Sequence, residues 1–266
     1  MICIACDKKV TQLAQSHVIS NSFRKRLTGI VDSSGNKKFK FGWVDRPDLP
    51  RQDLPKPRLM CPKCDNELGA KIEMGAPSLL MPTNVDCVQE WEQLPIESEP
   101  LYGIFDTPLY VGVYNYPENE SEVIDKFSLS VAWRSLHAMA KDGEQLSKNF
   151  LASARGETIN NLTKKILFHD LGQSCAPRVS LYYLGPKSAA MTTNSHDEIP
   201  FAWTEIGDSG ELLGVGVAFA YWVILWPLFE CEPIEYFDKL TRLEQLCFRE
   251  WRGHMMSELE KRGKLD

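Results

Sequence analysis

The sequence lacks the features by which several enzyme classes are recognised. It has no glycine-rich loop to wrap a phosphate chain and no Gly-x-Ser-x-Gly turn to expose a serine nucleophile, which argues against nucleotide-binding folds and serine hydrolases. Histidine is scarce. Of the five present, His137, His169, His196 and His254 stand singly, without ligand spacing, and read as structural or exposed. Neither an internal repeat nor a low-complexity tract is found, so a solenoid and a disordered tail are both unexpected. The opening MICIACDKKV has no cationic start leading into an apolar run, so a secretory leader is not expected and the expected location is cytoplasmic.

What the chain does contain is a core-forming composition, with 43% hydrophobic residues over 266 positions, enough for one large domain or two ordinary ones. Its charge is unevenly divided. Residues 1–80 carry 14 Lys and Arg against 8 Asp and Glu, whereas the rest of the chain carries 16 against 28. A boundary is expected near residues 75–100, where Pro, Gly and Ser accumulate and the charge balance changes sign. The expected domains are therefore 1–80 and 81–266. A basic module suits a polyanion. The bias is concentrated in FRKRL and NKKFKFGW, where Arg24, Lys25, Arg26, Lys37, Lys38 and Lys40 alternate with Phe and Trp. These are the candidate contacts for DNA or RNA; the competing reading is a solvated basic loop.

The acidic part reads as mixed structure. Ile124, Phe127, Val131, Ser135 and Met139 recur at steps of three or four and end at Gly143, which predicts a helix over 120–143. One or two helices are expected across 149–170, short strands or buried loops over 101–116, and a strand over 179–185. Residues 212–229 run 18 positions without a charge. Leu213, Val215, Val217 and Phe219 alternate there with small residues, so core strands are preferred to a membrane helix. Residues 236–263 read as an amphipathic helix, packed on its own domain or serving as a homo-oligomer face or protein-partner surface.

Eight cysteines are present, and four form two Cys-x-x-Cys pairs, CIAC (Cys3, Cys6) and CPKC (Cys61, Cys64). In a chain without an expected leader such pairs read as ligands of one tetrahedral zinc, closed by protein and therefore structural. Cys87, Cys175, Cys231 and Cys247 read as packing residues. The 54 residues between the pairs exceed a simple ribbon's gap, and their Pro-rich part, PDLPRQDLPKP, is expected to be extended. Within that interval lies SHVIS, whose β-like VIS places His17 on or just before a strand. After the second pair, Asp65 and Asn66 suit a helix opening at the knuckle.

In this order, CIAC, SHVIS and CPKCDNEL resemble the zinc-bearing HNH endonucleases, over roughly residues 1–75. The resemblance implies an α+β chain: an N-terminal zinc-stabilised ββα-metal (treble-clef) unit followed by a larger mixed α/β domain. It implies that His17 is the general base that deprotonates water, and that Asp65, or Asn66 beside it, holds a catalytic Mg²⁺ or Mn²⁺. One position departs from the pattern. Many members have Asp before the histidine as a second metal ligand, where this chain has Ser16; Asp7 and Glu73 are candidates to replace it. The implied activity is hydrolysis of DNA phosphodiesters to 5′-phosphate ends. A small HNH module joined to a domain of unlike charge also resembles nucleases of mobile elements and phage defence. The alternative is a non-catalytic zinc-knuckle module that binds nucleic acid or regulates.

Overall fold

The structure is a computed structural model that describes residues 1–19, 40–43, 55–80, 97–101, 109–113, 118–169, 179–183, 198–219, 222–229, 235, 239–240 and 242–247. Its strands are β1 (Lys40–Trp43), β2 (Glu97–Leu101), β3 (Leu109–Val113), β4 (Ser180–Tyr183), β5 (Glu198–Asp208), β6 (Glu211–Phe219) and β7 (Trp222–Pro227). Its helices are α1 (Pro62–Leu68), which continues as a π-helical turn over Gly69–Glu73, then α2 (Ala76–Leu80), α3 (Glu118–Asp142), α4 (Gln145–Leu151) and α5 (Ala154–His169). Mixed helix and strand is what the residue patterns led one to expect.

All seven strands join one sheet in the order β1-β5-β6-β7-β4-β3-β2. Every pairing is antiparallel except that of β1 with β5. The charge-free run forms β6 and β7, both core strands, and among the described residues no helix is long and apolar enough to cross a membrane. β7 is buried at every position. Trp222, Ile224 and Trp226 enter the main core, while Val223 and Leu225 enter a second cluster with Ile206, Ala218, Leu243 and Cys247. A strand apolar on both faces belongs in a sheet covered on both sides. The cover on the second face includes the helical residues 242–247, part of the predicted amphipathic helix.

Two differences from the expected pattern have local causes. Leu213 was expected to share a face with Val215, but the ladder slips between Ile206 and Gly207, leaving Leu213 without a partner residue. This bulge reverses the alternation, so Leu212 enters the main core and Leu213 the second cluster. The small residues of β6 also have a use. A Cβ at Gly216 would lie 3.0 Å from Cys247 Sγ, and one at Gly214 would lie 3.0 Å from Leu243, so bare backbone lets the 242–247 helix lie close.

Helix α3 is buried almost all round from Phe127 to Met139, as befits a helix surrounded on several sides. It packs on β4, β5, β6 and β7 and also on α2, α4, α5 and the π-helical turn. Phe127 meets Phe219 edge to face at 6.3 Å. The helix ends where predicted: Gly143, at φ 113°, donates its N–H to Met139 O, a conformation that glycine adopts without a Cβ penalty. Two helices follow, and their junction is tight. A Cβ at Gly156 would lie 1.8 Å from the Phe150 carbonyl oxygen. Gly156→Ala is therefore expected to cost about 1–3 kcal/mol or more, as overpacking does, and a urea midpoint equal to wild type would refute that reading of the junction.

Buried residues from both sides of the expected boundary near 75–100 share one cluster, from Cys3, Val18 and Leu68 to Trp133, Val215 and Trp226.

Candidate metal centre and the segment beside it

The first ten residues double back on themselves. Ile2 bridges Lys9, Cys3 N–H donates to Lys8 O at 3.1 Å, and Asp7 N–H donates to Cys3 O at 2.9 Å. Asp7 takes φ 55° to close the turn; Asp is among the few non-glycine residues that tolerate the left-handed region. Cys3 and Cys6 lie on this reversal. The second pair straddles a helix start, with Cys61 as the N-cap, Pro62 in the first turn and Cys64 inside α1. The helix thus opens three residues before Asp65, where it was expected, because proline's fixed φ and missing N–H suit that position.

The four cysteines are free thiols, and their sulfurs all lie within 4.8 Å of one another. Four soft donors so gathered can hold a metal ion such as zinc, which takes thiolates at about 2.3 Å in a tetrahedron. The backbone already favours one thiolate: Cys61 N–H donates to Cys3 Sγ at 3.2 Å. Burial opposes ionisation of Cys3, yet the N–H groups of Cys61, Cys6 and Ala5 outweigh it and bring that thiol down to about 7. At Cys64 burial and the neighbouring sulfurs push the thiol up. A cation is what would let both ionise together.

Residues 55–60 form a strap along the N-terminal segment. Ile4 N–H donates to Leu59 O, Ala14 N–H to Met60 O and Val18 N–H to Pro55 O, at 3.1, 2.8 and 3.2 Å. A strand was expected at VIS, with His17 on it or just before it; Val18 and Ile19 instead form a bend, and residues 12–17 are irregular. The segment is buried except at one position: Ser16, Val18 and Ile19 are buried, and His17 is partly exposed. The Ser16 hydroxyl donates to Asp65 Oδ1 in the first turn of α1. The structure therefore brings the SHVIS segment to Asp65 through Ser16, while Asn66 is exposed on the same helix.

Neither candidate for the second carboxylate is uncommitted. Asp7 takes Lys164 Nζ at 2.7 Å on both oxygens. Glu73 pairs with the guanidinium of Arg134, which is itself 1% exposed and also donates to His17 O at 2.6 Å. Among the described residues, the four cysteines are the group of His, Cys, Asp and Glu gathered closely enough to share an ion. Of the candidate nucleic-acid contacts, Lys40 lies on β1, whereas Arg24, Lys25, Arg26, Lys37 and Lys38 lie outside the described residues, as do Ser20, Cys87, Cys175, Cys231, His196 and His254. Cys247 is buried, as expected of a packing residue.

Arg134 and Lys164 were not singled out in the sequence. The available signal was an arginine inside the apolar stretch VAWRSLHAMA, since a cation at a core position demands a partner. His137, nearby on α3, is structural. Its Nε2 lies 3.0 Å from Asn160 Oδ1, which also accepts from Trp133 Nε1 at 2.8 Å. Burial lowers its pKa from 6.5 to about 4, the Asn160 bond offsetting only part. Because the unfolded chain takes this proton first, the stability contribution is complete above about pH 6.5 and lost as pH falls toward 4, a loss of up to about 3 kcal/mol. Urea midpoints measured across that range should fall less steeply for His137→Gln; an unchanged slope would remove His137 from the account.

Comparison of the chain with protein-family models, with curated proteins and with solved structures returns no match.

Proposed function

We propose that this chain is a metal-dependent endonuclease of the HNH kind, acting on DNA phosphodiesters. One observation carries the reading: the Ser16–Asp65 hydrogen bond, which sets the segment bearing His17 against the helix start that follows the four-cysteine cluster. Zinc in that cluster would be structural, with all four positions filled by Cys3, Cys6, Cys61 and Cys64.

In this proposal His17, partly exposed on an otherwise buried segment, takes a proton from water as hydroxide attacks phosphorus, a role suited to imidazole near neutral pH. The Ser16 hydroxyl occupies Asp65 Oδ1, leaving Oδ2 for a cation. A hydrated Mg²⁺ or Mn²⁺ there would supply positive charge for the phosphate and the leaving oxygen. Lys40 and the basic residues 24–26 and 37–38 would meet backbone phosphates. The acidic remainder would sense a signal, bind a protein partner, form an oligomer or restrain the nuclease, as in the phage-defence and mobile-element arrangements this chain resembles.

The test is plasmid cleavage by the purified chain with Mg²⁺, Mn²⁺ or chelator. Nicking or linearisation that needs divalent metal and leaves 5′-phosphate ends is expected; intact plasmid across a broad metal and pH screen would count against the reading. A second reading has its own support. Ser16 replaces a carboxylate, and Asp7 and Glu73 are ion-paired, which favours a zinc-knuckle module that binds nucleic acid without cutting it. Such a module would bind DNA or RNA in a salt-dependent manner, indifferent to divalent metal and to His17→Ala.

A further inference from the structure

We infer that Arg134, on α3 and far outside the four-cysteine module, is a positioning residue for His17, so that the acidic part of the chain completes the candidate catalytic site. The inference rests on the proposed role of His17. Arg134 is 1% exposed, yet all three guanidinium nitrogens have acceptors: Nε reaches Ser130 O at 3.3 Å, one terminal nitrogen His17 O at 2.6 Å, and the other the Glu73 carboxylate. A buried cation needs such compensation, because leaving it unpaired is strongly unfavourable. What distinguishes this case is the choice of acceptor. The His17 carbonyl lies in the peptide plane that follows the imidazole's own Cα, a plane that Val18 N–H also ties to Pro55 O, so the bond from Arg134 helps to hold the backbone from which the ring departs.

The tie is one of several on the same short segment. On one side of His17 the Ser16 hydroxyl reaches Asp65, and on the other Val18 N–H reaches Pro55 O. These two hold the segment to α1 and to the strap, both within residues 1–80. Arg134 alone among these ties comes from α3, whose other faces pack on the sheet, α4 and α5. A shift of α3 would therefore act on His17 directly. Glu73 completes the arrangement from the π-helical turn after α1: it neutralises the guanidinium and orients its planar fork. Lysine cannot replace that fork, having one ammonium where two terminal nitrogens serve two acceptors.

The experiment compares full-length wild type, Arg134→Lys, Arg134→Met and Glu73→Gln, each checked for zinc content and thermal midpoint. Two readouts follow: kcat and KM for plasmid cleavage, and the ring ¹H–¹³C resonance of His17, assigned by its absence in His17→Ala. In folded Arg134→Lys, kcat is expected to fall about 10²-fold, the scale of a misplacement near 1 Å, with KM unchanged and the His17 resonance shifted or broadened. Glu73→Gln should show a smaller change of the same kind, and it decides the matter if the Arg134 variants do not fold. Wild-type kcat together with an unmoved His17 resonance in any folded variant overturns the inference. Should wild type fail to cut DNA, the nuclease reading suffers but the resonance still decides: moved, it supports Arg134 as the residue that places His17; unmoved, it rejects it.

Discussion

Replacing Cys61 and Cys64 by serine is expected to empty the four-cysteine cluster and to unfold the N-terminal part of the chain. Two of the cluster's members, Cys3 and Cys64, are buried among Leu13, Val18, Leu59, Met60 and Leu68, so the cluster is part of the core it would organise. The first ten residues add modest packing of their own: Met1 and Ile2 are exposed, Ile4, Ala5 and Val10 are only partly buried against the core, and the turn closes on a left-handed Asp7. Structural zinc in small peptides carries apparent binding free energies on the order of 10 kcal/mol, and that binding energy is folding energy. The same outcome is expected on chelation, more readily at low pH, where protons compete for the thiolates. Elemental analysis should give zinc in wild type and none in the double variant, alongside a lower urea midpoint. Zinc-free wild-type protein of undiminished stability would end the metal-centre argument.

On the proposed nuclease reading, His17→Ala is expected to lower cleavage sharply while leaving the fold, zinc content and DNA affinity as in wild type. Removing a positioned general base costs typically 10²–10⁴-fold. Its side chain is partly exposed, so truncation should disturb packing less than substitution of the buried Val18 or Ile19 at the bend. The diagnostic result is the split between turnover and binding: a lost kcat with an unchanged dissociation constant and salt slope. If cleavage survives the substitution, water must be activated elsewhere and the SHVIS reading fails. Loss of binding together with activity would instead make His17 a nucleic-acid contact.

Local periodicity was legible in the sequence where one element dominates its own pattern. The three-or-four spacing from Ile124 to Met139 marked α3 because each of those positions meets packed neighbours, and Gly143 marked its end because only a left-handed residue closes that helix. The paired cysteines marked the four-cysteine cluster because both members of a pair come from one short turn of chain. What could not be read was anything settled between distant segments. Leu213 changes face because of a slip in its pairing with β5, and no pattern within β6 records that. Lys40–Trp43 was read as part of a basic-aromatic surface, yet it pairs in parallel with Glu198–Phe201, a partner more than 150 residues away. The Arg134 ties likewise join three segments, and a single sequence shows only that a cation sits where hydrophobic residues surround it.

The position of β1 has a consequence for how tightly the cysteines can grip an ion. The 54 residues between Cys6 and Cys61 include β1, which pairs with β5 at an edge of the sheet. Anchoring that span at β1 divides one long closure into two shorter ones, and closure entropy rises with the logarithm of length, about 0.6 kcal/mol per doubling. Sheet pairing thus raises the effective concentration of one thiol pair in the presence of the other. By thermodynamic reciprocity the ion must favour the docked strand by the same factor. An ion held by the four cysteines would then be coupled to the pairing of β1 with β5, each favouring the other.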